Sequence, residues 1–246
     1  MIKLKDVTCQ FSNGHTIFDK LNLTIKKGEF VIVMGDNGAG KSTLMNVITG
    51  SLPITSGSIM INDEDVTKLN EHRRTKKIAK VFQDPKISTC GIMTVRENLA
   101  LALNKGQHRS LKKGVSKLND DLLKESLAEL DMGLEHELDK KANELSGGMR
   151  QALSLIMAKL SNPDLLLLDE HTAALDPQAS KLVMNMTDRI VRNNSLTSIM
   201  ITHSIPFANA NGDRLIFMRN GKIVLDVSGK EKKDMTQADF VNLFEA

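Results

Sequence analysis

The chain has 246 residues, 41% of them hydrophobic and 26% charged, with a formal net charge of +3. That length and apolar content suit one large domain or a domain carrying an inserted lobe, and so small a net charge demands no polyanion. With no Trp, no Tyr and 8 Phe, the chain has no platform for stacking single-stranded bases, so no nucleic-acid partner is expected.

The first residues, MIKLKDVTCQF, alternate polar and apolar side chains and lack the continuous apolar run of a secretion signal. No segment approaches the roughly 20 apolar residues that span a bilayer, so any membrane role is expected through a partner. Cys9 and Cys90 stand in no metal or redox spacing and are expected as reduced thiols.

In chain order, residues 2–34 read as strands: IKLKDVTCQF, then LNLTI with Leu21, Leu23 and Ile25 on one face, then FVIVM. GSIMIND adds a short strand and IAKVFQD one that ends at Gln83. From Pro85 to about Leu145 the pattern turns helical. Thr94 and Glu97 have capping-box spacing ahead of NLALAL, and Leu123, Leu127 and Leu130 mark the face of a second helix. Between them, NKGQHRSLKKGVSK (104–117) reads as a basic, solvated loop.

A helix over Gly147–Leu160 leads to the strand LLLLD, and Asp176-Pro177 opens a helix running to about Arg192. SIMIT is the next strand. In RLIFMRNGKIVLDV, Asn220-Gly221 between two apolar runs predicts a hairpin, and a last short helix begins near Thr236.

Chemistry enters at VIVMGDNGAGKST. Gly35-x-x-x-x-Gly40-Lys41-Ser42 has the spacing of a phosphate loop: backbone N–H groups of Gly35, Asn37, Gly38, Ala39, Gly40 and Thr43 cradle phosphates, Lys41 reaches the terminal ones and Ser42 ligates Mg²⁺. The flanking strand and helix put a helix N-terminus toward the anion. LLLLDE then delivers two carboxylates at a strand end, Asp169 suited to Mg²⁺ and Glu170 to polarising an attacking water. LSGGM (145–149) puts Ser146, Gly147 and Gly148 at another helix N-terminus, a second anion site.

Taken in order, the loop Gly35–Thr43, Gln83 after a strand, Leu145–Met149, Asp169-Glu170, Ala174–Asp176 and His203 after SIMIT resemble the ATP-binding cassette (ABC) family over nearly the whole chain. The resemblance implies an α/β fold: a P-loop NTPase core with an N-terminal antiparallel β subdomain (together 1–84 and 161–246) and an inserted helical subdomain at about 85–160. It implies ATP and Mg²⁺ as cofactors, with Gln83 on Mg²⁺ or the attacking water, His203 on the γ-phosphate, and Phe11 against the adenine ring where an aromatic residue, often Tyr, is usual. Catalysis falls to Glu170, His203 and Lys41, and Ser146–Gly148 are expected to meet the γ-phosphate held by a second subunit.

Met149 and His171 depart from the family's more usual Gln and Pro or Ala. Three classes share this fold. Ribosome-acting proteins typically carry two cassettes, and DNA-repair ATPases need a long coiled coil for which residues 84–144 are too few, which leaves transport. The stretches DEHTAALDP and FQDPKISTCGIMTVRENLALAL and the tail GKIVLDVSGKEK are similar to those of bacterial importer ATPases of the tryptophan/tyrosine or branched-chain amino acid type. That likeness implies a peripheral protein on the cytoplasmic face of the cell membrane, a homodimer on an integral-membrane permease, served indirectly by a substrate-binding protein. A soluble or export-type ATPase is the alternative.

Overall fold

The computed structural model describes residues 1–11, 14–105 and 119–245. In chain order the elements are β1 (Ile2–Gln10), β2 (Thr16–Ile25), β3 (Phe30–Gly35), α1 (Lys41–Thr49), β4 (Ser56–Ile61), β5 (Glu64–Asp65), α2 (Glu71–Arg74) and β6 (Ile78–Val81). Next come α3 (Pro85–Ser88), α4 (Val95–Leu103), α5 (Asp120–Ala128), α6 (Gly147–Leu160), β7 (Leu165–Asp169) and α7 (Pro177–Asn193). The chain closes with β8 (Ser198–Ile201), α8 (Ile205–Ala210), β9 (Arg214–Arg219), β10 (Lys222–Ser228), α9 (Gly229–Asp234) and α10 (Gln237–Glu245). Two compact units result: Met1–Ile78 with Asp164–Asp169 and Val191–Ala246, and Ala79–Pro163 with Glu170–Ile190.

The first unit holds two sheets. The antiparallel sheet runs β2-β1-β4-β5. Its alternation brings Ile2, Leu4, Val7 and Cys9 inside, and burial raises the Cys9 thiol above its ordinary pKa. The other sheet runs β10-β9-β3-β8-β7 in this unit. Here β3, β7, β8 and β9 pair in parallel, and β10 pairs antiparallel to β9. Strands covered on both faces lose alternation, and all six residues of β3 are buried. One core joins Leu4 and Ile25 to Val31, Leu44, Ile48, Leu167, Ile199 and Ile216. The β9–β10 turn has positive φ at both Asn220 (47°) and Gly221 (73°), the geometry that an Asn-Gly hairpin favours.

Arg74 is a buried cation whose hydrogen-bond acceptors, among the described residues, are all backbone carbonyls. Its guanidinium donates to the carbonyls of Val47 (2.8 Å), Ile48 (2.9 Å), Leu69 (2.9 Å) and Thr67 (3.0 Å), so it closes the C-terminal end of α1, where a positive charge also meets the helix dipole. Arg74→Met leaves these carbonyls short of a donor and is expected to cost about 2–4 kcal/mol, read from the urea midpoint.

In the second unit α6 packs against α3, α4 and α5. Leu99, Leu123, Leu127, Leu130, Leu153 and Ile156 are buried. The capping box forms: Thr94 N–H donates to Glu97 Oε2 (2.8 Å) and Glu97 N–H to Thr94 Oγ1 (3.2 Å). Asp176 caps α7, its Oδ1 accepting from the N–H groups of Gln178 (3.1 Å) and Ala179 (3.0 Å).

Two expectations need correction. β6 stops at Val81, before Gln83, because Asp84 and Pro85 open the one-turn helix α3, with Asp84 Oδ1 accepting from Lys86 N–H at 2.9 Å. The C-terminal part carries two helices after β10, α9 and α10, where one was expected. The predicted basic loop lies outside the described residues from 106 to 117.

Candidate functional site

The phosphate loop follows β3 in the first unit. Gly35 sits so close to β9 that a Cβ there would lie 2.1 Å from the Met218 carbonyl oxygen, so no other residue fits. Gly40 (φ 99°) occupies the N-cap of α1 and supplies no side-chain cap, which leaves the first-turn N–H groups to an anion. Around Gly38 (φ 81°) nothing lies within 4 Å of a built Cβ. Lys41 is buried, and its ammonium donates to the carbonyls of Gly35 (2.8 Å) and Asp36 (2.9 Å), across the mouth of the loop. Asn37 and Ser42 are exposed, Thr43 is half-buried and Ala39 is buried.

The same unit carries Asp169 at the C-terminal end of β7, half-buried, and His203 just past β8, exposed. β7 and β8 pair with Asp169 opposite Ile201. Phe11 is 39% exposed just after β1, so it is a surface ring and not the core side chain that an amphipathic strand would bury.

These donors suit a nucleotide with its metal. Among the described residues no three His, Cys, Asp or Glu side chains gather around a possible metal. Mg²⁺ commonly takes one carboxylate plus phosphate oxygens and waters, and within the first unit the Asp169 carboxylate and the Ser42 hydroxyl are donors of that kind.

The second unit carries Gln83, Glu170 and the segment Leu145–Met149. Gln83 is exposed after β6. Ser146 is the N-cap of α6, its Oγ accepting from Met149 N–H at 3.3 Å. Ser146 and Gly147 are exposed, whereas Gly148 is buried, with a built Cβ only 3.1 Å from the Ala179 Cβ. These three line a cleft of about 360 Å³ with Met132, Ala174, Leu175, Asp176, Gln178, Ala179 and Leu182. The structure thus brings the LSGGM and ALD segments of the sequence to one cleft.

Glu170 is half-buried, with φ at 46°, a conformation costing a non-glycine residue of order 1 kcal/mol. Its carbonyl accepts from Ala173 N–H at 2.9 Å, so the chain turns sharply behind the carboxylate. His171 points inward, 1% exposed, with Nε2 2.9 Å from Thr187 Oγ1. The Thr187 hydroxyl donates to the Val183 carbonyl (2.8 Å), so Nε2 carries the proton of a neutral ring. Burial lowers the His171 pKa to about 4.

Sequence reasoning passed over the residues that support the cleft. Asn98 is fully buried, its amide donating to the carbonyls of Cys90 (3.1 Å), Met93 (3.3 Å) and Thr94 (2.9 Å) while its oxygen accepts from Cys90 N–H (2.8 Å). Arg150 Nε donates to Thr89 Oγ1 (2.6 Å) and buried Gln151 to the Phe82 carbonyl (3.1 Å), so α6 grips the segment on either side of α3. The loop is bonded in turn to the stretch entering LSGGM, through Ala142 N–H to Met93 O (2.9 Å) and Asn143 N–H to Gly91 O (3.0 Å). Only Arg150-Gln151, two polar residues just ahead of the largely apolar run Ala152–Ala158, hinted at this.

Comparison with known proteins bears on the whole arrangement. Residues 18–173 match the ABC transporter family. The chain is 46% identical to a tyrosine transport ATP-binding protein of Clostridioides difficile (strain R20291), over 100% of this chain and 99% of that protein. It is 32% identical to a phosphonates import ATP-binding protein of Synechococcus sp. (strain JA-2-3B'a(2-13)), over 92% of this chain and 84% of that protein. Among solved structures, the dimeric post-hydrolysis state of the cassette MJ0796 bound to ADP and Pi, a Methanocaldococcus jannaschii protein, superposes with a TM-score of 0.76 at 31% identity, covering 93% of this chain and 98% of that one. The ADP conformation of the cassette MJ1267 gives 0.81 at 27% identity, covering 99% and 97%. A phosphate loop under a parallel sheet and an LSGGM helix cap, matched over the full length of such relatives, place this chain in the ABC transporter family as one of its ATP-binding, ATP-hydrolysing subunits.

Proposed function

We propose that this subunit powers a bacterial importer of an amino acid or a similarly small solute. The observation carrying the reading is the 46% identity, end to end, with a tyrosine transport ATP-binding protein. In the working assembly two copies face head to tail, the Ser146–Gly148 cleft of each meeting the nucleotide on the other's phosphate loop. Gly35–Thr43 holds the triphosphate and Phe11 the adenine. Ser42, Gln83 and Asp169 hold Mg²⁺, which when bound neutralises phosphate charge. Glu170 takes the proton of the attacking water, with His203 and Lys41 stabilising charge on the γ-phosphate.

The lobe over about 85–160 transmits closure to an integral-membrane permease, itself supplied by a substrate-binding protein. Among the described residues no helix is long and apolar enough to cross a membrane. The proposed place, taken from the likeness to transport ATP-binding proteins, is peripheral, on the cytoplasmic face. Ile87 on α3 and Ile92 after it, 65% and 79% exposed, offer the permease an apolar contact, while nearby Val95 is buried in the lobe. Ile92→Glu is therefore expected to lower recovery of the permease with this subunit from membranes by about tenfold, the loss of one buried interface anchor, while basal ATP hydrolysis holds. Undiminished recovery places the contact elsewhere.

The solute is tested by reconstituting subunit and permease in vesicles and following ATP-driven uptake, tyrosine and tryptophan first. Uptake of phosphonates instead would move the assignment toward the second group of relatives. Outward transport would overturn import.

A further inference from the structure

The phosphate loop contains an acid. Asp36 lies between Gly35 and Asn37, in a segment built to hold an anion, where an uncompensated carboxylate opposes binding. Arg219, at the end of β9, meets it: Nε lies 3.0 Å from Asp36 Oδ2, with both side chains partly withdrawn from solvent. The guanidinium is held from its other side as well. Nη2 donates to the Leu243 carbonyl in α10, and the guanidinium carbon lies 5.7 Å from the centre of the Phe217 ring. Phe217 in turn takes the edge of Phe244, 4.9 Å between centroids at 78°. The β9–β10 hairpin is also fixed to the loop through its backbone, Gly221 N–H donating to the Ala39 carbonyl at 3.0 Å.

We propose that Arg219 sets nucleotide affinity by neutralising Asp36 inside the phosphate loop, and that α10 positions it for that task. Arg219 is a positioning residue: it acts on the nucleotide through Asp36. The inference rests on Gly35–Thr43 being the phosphate cradle.

The test is equilibrium binding of ATP and ADP in EDTA, where nothing is hydrolysed, to the full chain and four variants. Arg219→Ala is expected to weaken ATP about fivefold, with a smaller loss for ADP, which carries less charge. The difference should shrink in high salt. Adding Asp36→Asn to Arg219→Ala should bring ATP affinity back to within about twofold of wild type, a rescue no loss of packing would show. Asp36→Asn alone leaves Arg219 without its counter-charge and should tighten ATP, which keeps the test valid if Arg219→Ala folds poorly. Phe244→Ala should weaken ATP in the same direction by less.

Equal losses for ATP and ADP without rescue, or weaker ATP binding by Asp36→Asn, would overturn the proposal. An unchanged Phe244→Ala would remove α10 from it. Wild-type protein that binds neither nucleotide would instead sink the phosphate-cradle reading beneath it.

Discussion

Glu170→Gln is expected to slow ATP turnover by about 10²-fold or more while nucleotide binding survives, the scale on which a lost general base is felt. The amide keeps the shape of the carboxylate, replaces one acceptor oxygen by a donor NH2, and cannot take the water's proton. The backbone places that side chain at some cost, since Glu170 holds a left-handed φ of 46° immediately after β7. A residue kept in such a conformation, with buried His171 bonded to Thr187 behind it, has little freedom to swing away. Because ATP then persists, the variant should also gain a nucleotide-dependent dimer. Phosphate release and elution volume with and without ATP give both readings, and wild-type turnover would remove Glu170 from the role.

Ser146→Arg should abolish hydrolysis while an isolated chain still binds ATP. The phosphate loop belongs to the first compact unit and Ser146 to the second, where its exposed hydroxyl caps α6. Losing that cap costs about 1 kcal/mol, too little to unfold the chain, whereas an arginine at the mouth of the cleft obstructs an incoming partner. Mixing with Lys41→Ala sharpens the test. In a head-to-tail heterodimer both lesions fall in one composite site and the other is intact, so an equal mixture of freely exchanging chains recovers roughly a quarter of wild-type activity if the sites act independently. Two inactive proteins that stay inactive at every mixing ratio would count against a shared site.

Much of this was legible wherever a local rule and a tertiary need coincide. Thr94 with Glu97, Asp176 with Pro177 and Asn220 with Gly221 each carry their own boundary chemistry, and the structure uses all three. β2 extends further than LNLTI because Lys20 takes a positive φ of 52°, as Asp6 in β1 does at 50°, and the register shifts between the two strands break the two-residue period. α9 went unread because GKEKKD has no apolar face. It is secured by one buried ammonium, Lys232 Nζ donating to the carbonyls of Asn209 (3.3 Å) and Asn211 (2.6 Å), and nothing in a run of charges tells which lysine turns inward. The candidate site residues were named from spacing, since a phosphate loop is contiguous. Asn98, Arg150 and Arg219 act across gaps in the chain, and only folding shows what they reach.

The four hydrogen bonds that Asn98 makes to Cys90, Met93 and Thr94 also bear on the thermodynamics of the contact proposed at Ile92. A loop this tightly tied has already given up its conformational freedom on folding, so docking does not have to remove it again. Ordering a free loop commonly consumes about 0.5–1.5 kcal/mol for each rotamer-rich side chain immobilised, and here most of that cost falls on folding and not on association. Ile92 is thus presented as a rigid peg, and in the proposed contact the small apolar area it would bury converts to affinity with little entropic loss.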